Sequence, residues 1–386
     1  MDSIEKRHEM EYSVAPDIIV EVPQPVTLLG AFSDYIKGYS LMCTIGDGIS
    51  IACSMRTDNS VKVFNSIKQD KKKFVVNNIK YRKEDKWANA VKAIISSFQA
   101  EGYKITGLSF TLSGAPTEGD EYNAMIFVGV AKILNSLFML NLKDSELLKL
   151  SIRANNFSEE YKAKERDLIT IFESKENTML FFDLALNKHI QFSVSSEQLS
   201  GHILDPAMPF SVLDPLLDEF KEVLVPVVAS LSVSFPGEDI KSISEKELRL
   251  YFNKLLELDR HCIEYIIEES NLAKKGYEML SSGDYQNFGK LLFQQQRILQ
   301  NKAELTSPET DWLTKRAQEI PAVIGIAQIS LGRPGLMLLL IASNDEVSYT
   351  ERLEEYDRIF GFHPTISSFI PSGSVKVLAD EYSISK

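Results

Sequence analysis

Val22 to Tyr39 reads VPQPVTLLGAFSDYIKGY, and the rest of the chain is interpreted from it. The apolar run Val26 to Leu29 predicts a strand, Gly30 a turn at its end, and Gly38 a reversal into a second strand from Tyr39 to Ile45. Ser33 and Asp34 fall between the two, which places a carboxylate beyond a strand end. Taken alone, these residues fit either a turn aspartate between hairpin strands or a polar group at the mouth of a site.

The chain has 386 residues, enough for two domains with separate cores. Lys and Arg number 42 against 54 Asp and Glu, a net charge of −12, which argues against sequence-independent binding to nucleic acid. Cys43, Cys53 and Cys262 are widely spaced, without a CxxC pair, and read as reduced thiols. The start, MDSIEKRHEMEY, is charged and has no apolar signal core, and the longest apolar run, Leu336 to Ala342, is too short for a bilayer. A cytoplasmic protein without membrane contact is expected. The histidines form no metal-ligating constellation, and His261 beside Cys262 reads as a helix-surface residue, so no metal is expected.

Short strands are predicted at Asp17 to Glu21, at the two runs flanking Gly30, at Ile49 to Met55 and at Ser60 to Phe64. Helical spacing follows over Trp87 to Ala100, then a strand at Gly107 to Leu112 and a helix apolar nearly all round from Tyr122 to Leu140. Ser145 to Lys164 reads as one helix, and Leu168 to Phe172, Met179 to Asp183 and His189 to Val194 as strands. Scattered Gly and Pro between Ser195 and Phe210 predict a boundary there. Beyond it the pattern gives a buried strand at Leu224 to Val233, helical periodicity over Ser244 to Leu280, and helices at Tyr285 to Ala303 and Glu309 to Glu319. Strands at Ala322 to Ile329 and Leu336 to Ile341, and a last helix and strand, complete an α+β chain.

Val22 to Tyr39 resembles the galactokinase signature of the GHMP small-molecule kinases, Gly-Arg-Val-Asn-Leu-Ile-Gly-Glu-His-Thr-Asp-Tyr, with Val26, Leu28, Gly30, Asp34 and Tyr35 in place. The arginine of the signature falls on Pro25, and its Glu-His pair on Ala31 and Phe32. Gly283 to Asp311, GDYQNFGKLLFQQQRILQNKAELTSPETD, resembles a second galactokinase segment without a gap. Its physical content is an Asp284 cap, an apolar face of Phe288, Leu291 and Leu292, and Pro308 at the first turn of the next helix. The Ser-His of that segment falls on Gln295 and Gln296. Ile326 to Leu336, IAQISLGRPGL, occupies the place of a third, Gly-rich motif and keeps only Gly332 and Gly335 as glycines.

The resemblance implies a GHMP-kinase-like two-domain fold: an N-terminal half, 1–200, like ribosomal protein S5 domain 2, and a ferredoxin-like C-terminal half, 201–386. It implies a nucleotide loop between the strand at 107–112 and the helix from Tyr122, with Gly119, Gly332 and Gly335 as nucleotide-binding positions. The loop reads SGAPTEGDEYN over 113–123, with no serine triplet and with Glu118, Asp120 and Glu121, acids that suit a helix start better than a triphosphate. It also implies Asp34, Tyr35 and Asp167 as sugar contacts and Asp167, sixteen residues before Asp183, as the catalytic base. A surface charge cluster, KAKERD, is the other reading of Asp167. The resemblance therefore supports an impaired galactokinase-like protein, a pseudokinase with a sugar-binding or regulatory role. The alternative is an active galactokinase, and ATP and magnesium are implied only there.

Overall fold

Strands β1 (Ile18–Leu29) and β2 (Tyr39–Met55) each run unbroken through what the sequence predicts as two strands. Pro23 and Pro25 lie inside β1. They are two residues apart and so withhold their N–H from the same strand edge. The computed structural model describes residues 2–116, 118–195, 199–237, 243–330, 335–342 and 346–378. It divides into two compact units, one of Met1–Pro25, Thr44–Glu176 and Ser372–Lys386, the other of Val26–Cys43 and Asn177–Pro371.

In the first unit, strands order β12-β1-β2-β5-β3-β4, with β3 (Ser60–Asn65), β4 (Asp70–Val75), β5 (Leu108–Gly114) and β12 (Lys376–Leu378). β3 and β5 are parallel; β1 with β12, β2 with β5 and β3 with β4 are antiparallel. Helices α1 (Ile4–Tyr12), α3 (Ala88–Ala100), α4 (Gly119–Leu137), α5 (Asp144–Ala154) and α6 (Glu165–Glu173) accompany the sheet. α4 is buried from Glu121 to Ala131 without a break, as its all-round apolar sequence requires, and joins Val20, Ile51, Phe110 and Ile94 in one core.

In the second unit, Tyr39 to Met42 of β2 pair with β6 (Thr178–Asp183), which pairs with β7 (Lys188–Ser193). A separate antiparallel sheet orders β11-β8-β10-β9, from β8 (Gly201–Asp205), β9 (Val323–Gln328), β10 (Met337–Ile341) and β11 (Thr365–Ser368). The unit's helices are the short α2 (Ser33–Ile36), α7 (Phe210–Ser234), α8 (Glu245–Phe252), α9 (Glu257–Ser281), α10 (Tyr285–Ile298), α11 (Pro308–Gln318) and α12 (Glu346–Phe360). The mixed α+β, two-domain class is as expected. Among the described residues no helix is long and apolar enough to cross a membrane.

Three local expectations are corrected. Leu168 to Phe172 is helix α6, not a strand: Glu165 and Asp167 sit in its first turn, and Thr170 Oγ1 donates to the Arg166 carbonyl one turn back. Leu224 to Val233 belongs to helix α7. Its buried residues, Phe220, Leu224, Val227 and Leu231, recur at helical spacing, while Val225 and Val233 are exposed. The single helix over 145–164 ends at Ala154, where the Asn155 side chain bonds both the N–H and the carbonyl of Ala163.

His8 on α1 is fully buried between Thr111 Oγ1 (3.0 Å) and Ser54 Oγ (2.9 Å). Burial lowers its pKa to about 4. The unfolded chain, with an ordinary histidine, binds this proton first, so stability is complete above about pH 6.5 and falls as pH drops toward 4. The loss from this group is about 3 kcal/mol at the acid end. Urea unfolding between pH 7 and 4 should show it, and His8→Asn should flatten that part of the profile.

Candidate functional site

The signature loop belongs to the second unit. Gly30 has φ +85°, and a Cβ there would stand 2.2 Å from the Tyr39 carbonyl, so the turn admits only glycine. Ser33 Oγ donates to that same carbonyl at 2.5 Å, and the Gly38 N–H closes α2 onto the Ser33 carbonyl. Gly38 packs against Ser270 of α9 so closely that a Cβ would reach 2.3 Å from Oγ. The Ser270 hydroxyl accepts from the Tyr39 N–H at 2.7 Å, and Glu269 Oε1 accepts from the Ala31 N–H at 3.1 Å.

Ala31 and Phe32 are buried. Phe32 lies 4.9 Å from the Phe220 ring and 6.1 Å from Tyr265, an aromatic cluster where the signature has a charged and an ionisable residue. Burial, with Glu269 beside it, drives the Tyr265 phenol well above its ordinary pKa. Asp34 and Tyr35 are exposed on α2. Tyr35 lines a cavity of about 390 Å³ with Ile36, Lys37, Val228, Leu231 and Phe235.

The start of α4 belongs to the first unit. Gly119 opens the helix at φ +89° and is exposed. Asp120 and Glu121 stand in its first turn, as acids at a helix start should, but Glu118, at the N-cap, makes no side-chain cap bond and instead pairs with Lys68. Glu121 is buried and accepts from Gln24 Nε2 at 3.2 Å; Gln24 itself is fully buried. Tyr122 OH accepts from Asn65, and Ser113 Oγ accepts from Arg7. Sequence reasoning passed over Gln24, although its replacement of the signature's first glycine was the available signal.

Asp167 stands in the first turn of α6, also in the first unit. It and Arg166 are each 2% exposed, so these two are not part of a solvated charge cluster. Asp183 ends β6 and accepts from the Leu186 N–H in the following turn.

In the second motif, Asp284 accepts from the Asn287 N–H at 3.2 Å, Phe288, Leu291 and Leu292 are buried, and Pro308 opens α11. Gln295 and Gln296 are buried, and Gln296 Oε1 accepts from the Gln328 N–H at 2.7 Å, tying this helix to β9. Gly335 has φ +68° and packs so close to Met208 and Thr310 that a Cβ would meet both. Gly332, with Leu331, Arg333 and Pro334, lies outside the described residues.

No family model matches the chain. It is 28% identical over 374 residues to a Treponema pallidum protein named "Putative galactokinase", covering 94% of this chain and 93% of that one. It is 22% identical over 359 residues to a galactokinase of Roseiflexus sp., covering 91% and 90%. Its structure matches that of Lactococcus lactis galactokinase complexed with galactose at a TM-score of 0.86, with 19% identity over 97% of this chain and 99% of that one. The chain is a galactokinase-like protein of GHMP-kinase fold. Methanococcus jannaschii mevalonate kinase matches at a TM-score of 0.63, with 15% identity over 93% and 98%.

In this galactokinase-like chain the Phe32 cluster holds the loop by packing. Phe32→Ala should cost about 3–5 kcal/mol in urea unfolding, whereas Tyr35→Ala, at an exposed position, should cost under about 1 kcal/mol.

Proposed function

We propose that this protein is a galactokinase-like sugar binder whose phosphoryl transfer is impaired, serving a binding or regulatory role. The observation that carries the reading is the contact between Gln24 and Glu121. A glycine at 24 would leave backbone only; glutamine fills the space beside the first turn of α4 with a fully buried side chain and holds a carboxylate there. A triphosphate at this helix start would meet Asp120 and Glu121, each repelling it by on the order of a kcal/mol at intermediate dielectric, beside Glu118, whose charge Lys68 offsets. Pro25 supplies no guanidinium to offset that charge. The residues present do not fit magnesium ATP at this place, and we derive no step through it.

On the sugar side, Tyr35 forms one wall of a sugar-sized cavity, and Asp34, exposed beside it on α2 and outside that lining, accepts hydrogen bonds from hydroxyls. Asp167 is the candidate acceptor and base in the first unit. Galactose is the simplest ligand, and it binds weakly. Ala31 and Phe32 withhold two polar contacts, each worth roughly 1 kcal/mol.

An ADP-release assay over a hexose panel with magnesium ATP should give no hexose-dependent turnover. Turnover abolished by Asp167→Asn would make this chain a working kinase, the second reading, which its galactokinase-named relatives favour. Calorimetry should give a galactose Kd on the order of 1 mM, weakened about tenfold or more by Asp34→Ala. The double substitution Gln24→Gly with Glu121→Ser should create an ATP-dependent rise in melting temperature that the parent lacks.

A further inference from the structure

α8 and α9, with Ile36 and Ile243, line a second, half-open cavity of about 520 Å³, within the range of small-molecule sites. Its walls are mixed, about half apolar: Leu248 and Phe252 from α8, Ile267 from α9, Ile243, and Ile36 from α2 form the apolar part. Asn271 and Ser270 bring the neutral polar groups, and the Ser270 hydroxyl is already engaged by the Tyr39 N–H. Glu264 and Glu268 also line it, but Lys302 bonds both, at 3.1 and 2.5 Å. Arg249 is at the solvent edge. Two carboxylates against Lys302 and Arg249 leave the lining with no net charge, so it suits a neutral occupant. Ile36 and Ile243 also line the Tyr35 cavity, so the two cavities share a wall.

From this geometry we infer a binding site for a neutral, amphipathic small molecule, its apolar part against Leu248, Phe252 and Ile267 and a hydrogen-bonding group directed at Asn271. Occupancy presses on Ile36 and so steadies α2, the element that carries Asp34 and Tyr35. A charged ligand would have to break the Lys302 pairs or lie buried beside them uncompensated. The site stands whether or not the chain binds sugar or transfers phosphate.

The test titrates the full chain with Nile red, a neutral ring probe whose fluorescence rises in apolar surroundings. Binding should saturate at one probe per chain. Asn271→Trp fills the mouth from an exposed helix position and Leu248→Glu charges a wall; each, shown folded by circular dichroism, should weaken the apparent affinity tenfold or more. Leu258→Glu, which alters an exposed apolar residue of α9 outside the cavity, should leave it unchanged. Hydrogen exchange of the α2 amides should slow at least threefold in the saturated protein. Binding that does not saturate, that survives both cavity substitutions, or that is lost equally with Leu258→Glu would overturn the site. Unchanged α2 exchange at saturation would overturn its link to α2.

Discussion

Two consecutive residues of α9 hold both ends of the signature loop. Glu269 takes the Ala31 amide and Ser270 the Tyr39 amide. A loop that leaves a strand, makes one turn of helix and returns within ten residues strands its backbone donors, and buried donors without partners are costly. Here two side chains of a neighbouring helix satisfy them. The close approach that this requires is what makes Gly38 obligatory, because any Cβ would displace the Ser270 hydroxyl. α2, the Phe32 cluster and both cavities follow from that anchorage, since each is built on residues the loop positions.

The first unit shows the opposite use of polar groups. At the start of α4, Glu118 turns to Lys68, Glu121 to Gln24 and Tyr122 to Asn65. None of these is a cap in the usual sense. They are side-chain pairs that tie the helix start to the sheet and to its neighbouring loops. A ligand of high negative charge would have to exchange these contacts for its own while facing acids. Burial of the Gln24 amide makes the exchange costlier, since displacing it strands a polar group or demands solvent where the core excludes it.

The sequence made the anchored elements legible and the context-dependent ones illegible. The glycine turn, the buried α4, the Asp284 cap and the Pro308 helix start each arise from local chemistry, and each is where its residues imply. Leu168 to Phe172 and Leu224 to Val233 are short β-branched or apolar runs in which strand and helix patterns overlap, and packing decided for helix. The candidate site divides the same way. The exposure of Asp34 beyond the turn was readable, but the Glu269 contact joins residues 238 apart and Gln24 to Glu121 joins residues 97 apart, with no local pattern to announce either.

The residues that match the signature therefore have different physical reasons for being there. Val26 and Leu28 are buried strand residues, and Gly30 answers to its turn. A protein that kept only the architecture would need those three. Asp34 is different: it is exposed on a four-residue helix, where burial gives no reason for a carboxylate, and Tyr35 next to it faces a cavity rather than the core. Asp34 also stands in the first turn of α2, where a carboxylate suits the helix start, so its place answers to local electrostatics as well as to chemistry. A carboxylate and a phenol side by side suit hydrogen bonding to hydroxyls, and the proposed sugar-binding role draws on that chemistry.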